Sequence, residues 1–153
     1  AGGFSASEGS ATCTKCEAGK YSGADGATLC ANCTRGKHSS SSSSTGCEKC
    51  GEGYYTDENG MSYCKSCRNE KGKDYTSKEG SDICDQCVKE TYWDQYEEQC
   101  VKKPAGIKTD KAGTTLESME LESGYFRFSF TSPYVYPCKN ENCVGSELMN
   151  TTD

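Results

Sequence analysis

The chain has 153 residues, a net charge of −6 and a hydrophobic fraction of 33%, which already includes 13 cysteines. The few remaining aliphatic residues cannot fill one shared core, so small units held by disulfides or metal ions are expected. The mixed charges lack the clustered basic face that nucleic acid requires, and no apolar stretch reaches the roughly 20 residues of a bilayer-spanning helix.

Cysteine pairs of the form C-x-x-C recur through most of the chain. The first four pairs are offset by 17 residues, the fifth follows after 20, and Cys100 closes the series. The pairs are Cys13/Cys16, Cys30/Cys33, Cys47/Cys50, Cys64/Cys67 and Cys84/Cys87. Such a fixed period predicts an array of stacked repeats.

Other residues keep the same register as the cysteines. An aromatic residue or histidine follows the second cysteine by five positions at Tyr21, His38, Tyr55 and Tyr92, with Tyr75 in the repeat that has three extra residues. A glycine stands two positions before it at Gly19, Gly36 and Gly53, and a hydroxyl residue follows it at Ser22, Ser39, Thr56 and Thr76. Because the register also fits from Gly2 onward, we expect a longer polypeptide, with a cysteine before Ala1 as the partner of Cys13.

Each repeat predicts a short strand around the aromatic residue, a glycine turn and a return to the next cysteine. A unit of this size cannot bury its own face, so neighbouring repeats must stack, with the aromatic residue between them. The predicted fold class is small disulfide-rich β, in which tandem hairpin-like repeats of about 17 residues form an elongated rod over residues 1–101.

The same cysteine spacing also resembles a zinc site. Against zinc, the pairs form a uniform series rather than separate four-ligand clusters, and thirteen cysteines do not divide into fours. The sequons at Asn32 and Asn150 favour a secreted, N-glycosylated chain with disulfides, and the serine run 39–44 suits an exposed loop that accepts O-linked glycans. We therefore expect no metal and no cofactor, and the intracellular zinc module is the weakest alternative.

Cysteine count alone does not determine connectivity. If the second cysteine of each pair bonds the first cysteine of the next, Cys100 is used without remainder, and Cys138 and Cys143 close a separate loop. The pairs would be Cys16–Cys30, Cys33–Cys47, Cys50–Cys64, Cys67–Cys84 and Cys87–Cys100. Each loop would contribute about 3 kcal/mol on a chain-entropy estimate.

The pattern Cys-x-x-Cys-x-x-Gly-x-Tyr-Ser…Gly-x-x-x-Cys, as in residues 13–30, resembles the ephrin-receptor-like cysteine-rich repeats, which are similar to the first module of TNF-receptor domains. The resemblance covers residues 2–100 and departs from the pattern at His38 and in the insertion after Cys67. It implies an extracellular, disulfide-bonded module. Such repeats occur in receptors and in large surface proteins of algae and protists, so the resemblance leaves the function open.

Beyond Cys100 the repeat is expected to stop, with a linker at 102–112 and an aromatic β-hairpin segment at 113–153. Phe126, Phe128 and Phe130 alternate with polar residues as in a half-buried strand, and residues 134–136 form the predicted return strand after a turn. The segment is similar to the one that follows such repeats in protist and algal surface proteins, where tryptophan often stands in place of Phe126. The three phenylalanines, with Tyr134 and Tyr136, pack either on Leu116, Met119 and Leu121 of the same chain or on a neighbouring subunit.

No residue pattern in the chain predicts catalysis. His38, the single histidine, occupies the aromatic position of its repeat without a partner nucleophile, and disulfide-bonded cysteines supply none. The acidic residues from Asp57 to Asn59 occupy a turn and lack EF-hand spacing, so a solvated turn is favoured over a calcium loop. We therefore expect that the protein is not an enzyme.

Two hypotheses remain for function. The first is a structural extracellular or cell-surface glycoprotein, a rod-like spacer or filament subunit that associates with copies of itself or with other matrix proteins. The alternative is a ligand-binding receptor or adhesion ectodomain, for which only the aromatic group of Tyr92, Trp93 and Tyr96 gives a hint.

Overall fold

A computed structural model describes residues 2–5, 12–108 and 111–139. The chain divides into two compact units, residues 1–85 and 86–153. Almost all regular structure is two-stranded antiparallel sheet, with one short helix among the described residues. The predicted class, disulfide-rich β-hairpins, is confirmed.

The strands of the first unit are only two residues long and pair in sequence order. Strand β1 pairs with β2, β3 with β4, β5 with β6, and β7 with β8. Their bounds are β1 Gly3–Phe4, β2 Thr14–Lys15, β3 Lys20–Tyr21, β4 Ala31–Asn32, β5 Lys37–His38, β6 Glu48–Lys49, β7 Tyr54–Tyr55, β8 Lys65–Ser66 and β9 Tyr75–Thr76. Such short pairs are unstable alone, so the contacts between repeats must supply the stability.

Backbone hydrogen bonds join each repeat of the first unit to the next in one recurring pattern. The glycine amide before each first strand donates to the carbonyl oxygen of the buried hydroxyl residue in the following repeat. These bonds are Gly2 to Ser22, Gly19 to Ser39, Gly36 to Thr56 and Gly53 to Ser77, at 2.8, 2.8, 3.0 and 3.1 Å. The stacking predicted from the repeat period thus includes a regular series of backbone hydrogen bonds.

Glycine is required where two repeats touch. A Cβ on Gly19 would lie 1.9 Å from the carbonyl oxygen of Gly60, and the φ of Gly19 is +85°. Gly36 faces the carbonyl oxygen of Gly80 in the same way, at 2.1 Å. A side chain at these positions would collide with backbone and adopt an unfavourable conformation.

The repeat with extra residues has a different register from the predicted one. Helix α1, Cys67–Glu70, begins at the cysteine, and the strand after it starts four residues later than in the other repeats. The segment between that strand and the next glycine turn is one residue shorter than in the preceding repeat. Ser77, which is buried, therefore takes the place of Ser22, and Thr76 takes the strand position of Tyr21. The prediction that Tyr75 and Thr76 hold these places was wrong by one residue.

The second unit has longer strands and a small apolar core. Its strands are β10 Gln86–Cys87, β11 Thr91–Asp94, β12 Gln99–Lys102, β13 Ile107–Lys108, β14 Glu120–Leu121, β15 Tyr125–Phe126 and β16 Tyr136–Pro137. Strand β11 pairs with β12, β13 with β14, and β15 with β16. Tyr92, Leu116 and Met119 form the buried cluster, with Val101 and Ile107 packed against it.

The backbone pattern of the repeats continues beyond Cys100, where the sequence analysis expected it to stop. In the first unit, the amide of Cys33 donates to the carbonyl of Gly19 fourteen residues earlier, at 2.9 Å. The amide of Glu122 donates to Gly106 and that of Cys138 to Gly124, both at 2.8 Å. The segment predicted as a linker, 102–112, contains all of β13, and the unit that it begins has no cysteine.

The predicted aromatic strand is much shorter than expected. Strand β15 ends at Phe126, which pairs with Tyr136, and residues 127–135 form the connecting loop. The chain leaves the strand because Arg127 turns inward, at the position where earlier repeats bury a serine or threonine. The expectation of a strand through Phe130 with a return at 134–136 was therefore wrong.

Candidate functional site

The disulfides of the structure join the second cysteine of each pair to the first cysteine of the next. They are Cys16–Cys30, Cys33–Cys47, Cys50–Cys64, Cys67–Cys84 and Cys87–Cys100. We call this series the disulfide ladder. It has the connectivity proposed from the sequence, and the second cysteine of each pair is almost fully buried at Cys16, Cys33, Cys50, Cys67 and Cys87.

Three cysteines lie outside the ladder. Cys13 is exposed and carries no disulfide. Cys138 is disulfide-bonded, and its predicted partner Cys143 lies outside the described residues. The expectation of an upstream partner for Cys13 stays a prediction.

Aromatic side chains gather at the surface around strands β15 and β16. Phe126 lies 5.2 Å from Phe128 and 5.7 Å from Tyr136, and Phe128 lies 5.5 Å from Tyr136, measured between ring centroids. Edge-to-face contacts of this kind stabilise a group of rings beyond the area that they bury. We call Phe126, Phe128, Phe130, Tyr134 and Tyr136 the aromatic surface.

The aromatic surface remains largely in solvent. Phe128 is 74% exposed and Tyr134 is 67% exposed, with Phe130 and Tyr136 also exposed. Leu116, Met119 and Leu121 are instead buried, the first two against Tyr92. The simpler expectation, that the phenylalanines cover these three residues, therefore does not describe the exposed rings.

A buried arginine connects the aromatic surface to the core beneath it. The Arg127 guanidinium donates to the carbonyl oxygens of Leu116 and Met119, at 2.6 and 3.1 Å, and lies 5.5 Å from the Phe130 ring centroid. Burial lowers the pKa of Arg127, because desolvation disfavours its charged form. Arg127 is one of the polar residues that alternate with the phenylalanines in the predicted strand, and the fourteen-residue spacing of Gly124 and Cys138 is the sequence signal for its true position.

Tyr92 is buried in the second unit rather than exposed at its surface. Its hydroxyl donates to Asp94 at 3.2 Å, inside the core of the second unit. Desolvation, followed by the charge of Asp94, raises the pKa of Tyr92 to about 12. Of the three residues proposed for ligand binding, Tyr92 is therefore structural, whereas Trp93 and Tyr96 are exposed.

Trp93 borders a small groove in the second unit. The groove has a volume of about 180 Å³ and is lined by Trp93, Gln95, Thr115, Leu116 and Glu117. The Trp93 amide donates to the Thr114 carbonyl at 2.9 Å, which fixes the backbone on one side. The groove is smaller than ordinary small-molecule sites of about 300 Å³ or more.

His38 lies against a disulfide rather than beside a nucleophile. Its Nδ1 is 3.3 Å from Sγ of Cys64, and the side-chain ligand atoms of His38, Cys50 and Cys64 all lie within 4.8 Å of one another. His38 is half-buried in β5, at the place that Tyr21 and Tyr55 take in other repeats. With both sulfurs joined to each other, neither is available as a nucleophile.

The acidic turn from Asp57 to Gly60 has protein donors for its oxygens. Lys65 donates to Asp57 at 2.7 Å, and the amide of Arg35 donates to the side-chain oxygen of Asn59 at 3.1 Å. The Lys65 hydrogen bond lowers the pKa of Asp57, and the same contact raises the pKa of Lys65. These contacts agree with a solvated turn.

One of the two predicted glycosylation positions, Asn32, lies within the described residues. Asn32 is exposed in β4, although its side chain lies against Gly60. Asn150 lies outside the described residues. In the serine run 39–44, Ser39 is buried and its hydroxyl donates to Ser44 at 2.6 Å, so only 40–42 are exposed for O-glycosylation.

These features define a class of protein: an extracellular-type module of disulfide-linked β-hairpin repeats. No helix within the described ranges is long and apolar enough to span a bilayer. The family model described as "Tyrosine-protein kinase ephrin type A/B receptor-like" matches residues 2–46, so the resemblance to ephrin-receptor-like cysteine-rich repeats is confirmed for that part of the chain. No curated protein matches the chain.

Proposed function

We propose that the chain is a non-catalytic structural component of the extracellular space or cell surface, and that it associates with further copies of itself. The observation that carries this proposal is the aromatic surface. Its three contacting rings form an ordered apolar group, and Phe128 and Tyr134 are among its most exposed members. Soluble proteins rarely leave a contiguous apolar group of this kind in water without an interaction to cover it.

The repeat array supports the spacer role. Repeats of the first unit contact their neighbours through the same backbone bonds, and the four that begin at Cys16, Cys33, Cys50 and Cys67 are each closed by a disulfide. An array of this kind extends by adding units rather than by enlarging a core, which suits a stiff, rod-like spacer or a filament subunit. Ten cysteines in the ladder and the glycosylation sequons at Asn32 and Asn150 fit an oxidising, secreted environment.

The lack of catalytic function is part of the proposal. In the described part of the chain, the only histidine faces a disulfide sulfur. In the acidic turn, the Asp57 carboxylate is paired with Lys65 at 2.7 Å. These arrangements supply neither the activated nucleophile nor the acid–base pair that most hydrolytic mechanisms use.

The area of the aromatic surface sets the strength of the expected association. At about 200 Å² for each aromatic residue, the exposed fractions of Phe128, Phe130, Tyr134 and Tyr136 leave about 450 Å² available for burial. A standard interface buries about 800 Å² for each partner, so this surface alone supports weak association. We expect dissociation constants of about 0.1–1 mM for a single contact and stronger binding where contacts repeat along a filament.

Sedimentation and electron microscopy over a concentration series test the proposal. The doubly substituted Phe128→Ser/Tyr134→Ser protein should remain monomeric where the native protein associates or forms fibres. Tyr63→Ser is the matched control, because Tyr63 is 61% exposed but lies in the first unit, away from the aromatic surface in sequence. A native protein that stays monomeric at millimolar concentration, or a control that loses association equally, would contradict the proposal.

A ligand-binding ectodomain is the second candidate, and it is favoured by Trp93 and Tyr96. Trp93 is 36% exposed at the groove, and Tyr96 is more exposed still. Exposed Trp and Tyr are common at the centres of protein-binding surfaces. Screening the native protein and the Trp93→Ala variant for binding to an array of extracellular proteins would separate the candidates. The aromatic surface is intact in both proteins, so a partner that binds only the native protein would favour the ectodomain.

A further inference from the structure

The contact between His38 and the Cys50–Cys64 disulfide differs from the rest of the ladder. The other repeats of the first unit have a poor zinc ligand at the equivalent strand position: Phe4, Tyr21, Tyr55 and Thr76. His38 instead brings a ring nitrogen within 3.3 Å of the Cys64 sulfur. Imidazole and thiolate are the two commonest zinc ligands in proteins.

We propose that reduction of the Cys50–Cys64 disulfide creates a zinc site formed by His38 Nδ1 and the two freed thiolates. A phosphine reductant gives its electron pair to the disulfide and is oxidised to the phosphine oxide with oxygen from water. The S–S bond breaks, and each sulfur gains a proton. Both thiols then release their protons to solvent as they bind Zn²⁺, and water completes a tetrahedral site.

The required geometry lies close to the geometry already present. With Zn–S bonds of about 2.3 Å and Zn–N bonds of about 2.0 Å, a tetrahedral site separates nitrogen from sulfur by about 3.6 Å and the two sulfurs by about 3.8 Å. The His38–Cys64 distance is 3.3 Å, and all three ligand atoms lie within 4.8 Å of one another. After reduction the two sulfurs must move apart from their bonded distance to about 3.8 Å, and the Cys50 sulfur must approach the His38 nitrogen, but no ligand has to be brought from elsewhere.

The backbone around the site does not depend on the bond that is broken. The Cys50 amide donates to the Gly36 carbonyl at 2.9 Å, and the Cys50 carbonyl accepts from the Gly80 amide at 2.7 Å. His38 is held by the pairing of β5 with β6. These contacts keep Cys50 and His38 in place after reduction. Cys47, the other cysteine of the Cys47/Cys50 pair, is in a separate disulfide with Cys33.

The test is zinc-dependent protection of individual cysteines from alkylation. The protein is treated with limiting phosphine, with and without Zn²⁺, and each thiol is quantified by peptide mass spectrometry. We expect zinc to protect Cys50 and Cys64, and His38→Tyr to abolish the protection. That substitution restores the repeat's usual residue, and loss of the nitrogen should weaken binding by at least about 100-fold, because even loss of an outer-shell partner costs 10- to 100-fold.

Moving the histidine to another repeat gives a second test, which also holds if reduction destabilises the native repeat. Tyr21 holds the position of His38 one repeat earlier, so Tyr21→His combined with His38→Tyr should move the protection to Cys33 and Cys47. Absorption of Co²⁺-loaded protein should show thiolate-to-cobalt bands for the native and transplanted proteins, and weaker bands for His38→Tyr. Equal protection of Cys50 and Cys64 in native and His38→Tyr protein, or none in either, would overturn the proposal.

Discussion

Removal of the Arg127 guanidinium should destabilise the second unit far more than removal of any exposed charge. Arg127 is 4% exposed and serves two backbone carbonyls, those of Leu116 and Met119, at 2.6 and 3.1 Å. Leu116 and Met119 are themselves the residues that form the apolar core with Tyr92. The substitutions to compare are Arg127→Met, which keeps an apolar stem, and Arg127→Lys, which keeps the charge.

The expected loss in free energy of unfolding follows from the two carbonyl groups that would lose their hydrogen-bond donor. A buried polar group left without a partner costs about 1–3 kcal/mol, and Arg127→Met leaves two of them. Removing a buried charge returns part of its desolvation cost, which the lowered pKa of Arg127 shows to be present. We expect a net loss of about 2–4 kcal/mol for Met, and about half of that for Lys, whose single ammonium lacks the fork geometry.

Urea denaturation followed by Trp93 emission measures this directly. Trp93 is the only tryptophan of the chain, and its amide bonds to Thr114 in the same unit. With a urea slope of about 1 kcal/mol/M, the midpoint should fall by about 2 M or more for Arg127→Met. Lys89→Met removes an exposed charge from the same unit and should change stability by less than about 0.5 kcal/mol. If both Met variants unfold at the native midpoint, Arg127 does not organise this core.

Two further predictions concern the repeat contacts and the core tyrosine. Gly19→Ala should destabilise the first unit by about 2–5 kcal/mol in thermal unfolding, from an unfavourable φ and collision with backbone, whereas Gly46→Ala, with open space around it, should be neutral. Equal midpoints for the two alanine variants would argue against close repeat contact. The pKa of Tyr92, raised to about 12 from about 10, makes its contribution to stability complete below pH 10 and lost as the pH rises from about 10 to 12, by about 3 kcal/mol. The absorbance titration of native minus Tyr92→Phe protein should show one transition near pH 12, and a difference centred near pH 10 would refute this.

The ladder was predictable because cysteine and glycine positions report directly on the backbone. A disulfide joins positions about 5.5 Å apart, and a glycine marks a turn or a close approach, so a fixed spacing of both residues defines the repeat. The error at Tyr75 and Thr76 arose where a helix added four residues and a turn lost one, because only the net change of three is visible in the cysteine spacing.

The second unit was harder to predict because its pattern mimics ordinary secondary structure. The alternation of Phe126, Phe128 and Phe130 with polar residues has the period of a strand, yet the intervening Arg127 is the buried residue. Its burial depends on two carbonyls supplied by residues 8 and 11 positions earlier. No local periodicity carries that information.

Setting the backbone conformation and supplying the free energy of folding are two separate roles in these repeats, and different residues fill them. Glycine near the start of most repeats sets the backbone conformation. Gly106 and Gly124 adopt nearly the same positive φ as Gly19, and each carbonyl accepts a hydrogen bond from an amide fourteen to sixteen residues later. Cysteine supplies free energy by restricting the unfolded chain. Where the cysteines are lost, at Lys103 and Glu122, the core of Tyr92, Leu116 and Met119 stabilises the same backbone by apolar burial. The repeat fold therefore does not require its disulfides at every step, provided that a neighbouring repeat offers an apolar surface in their place.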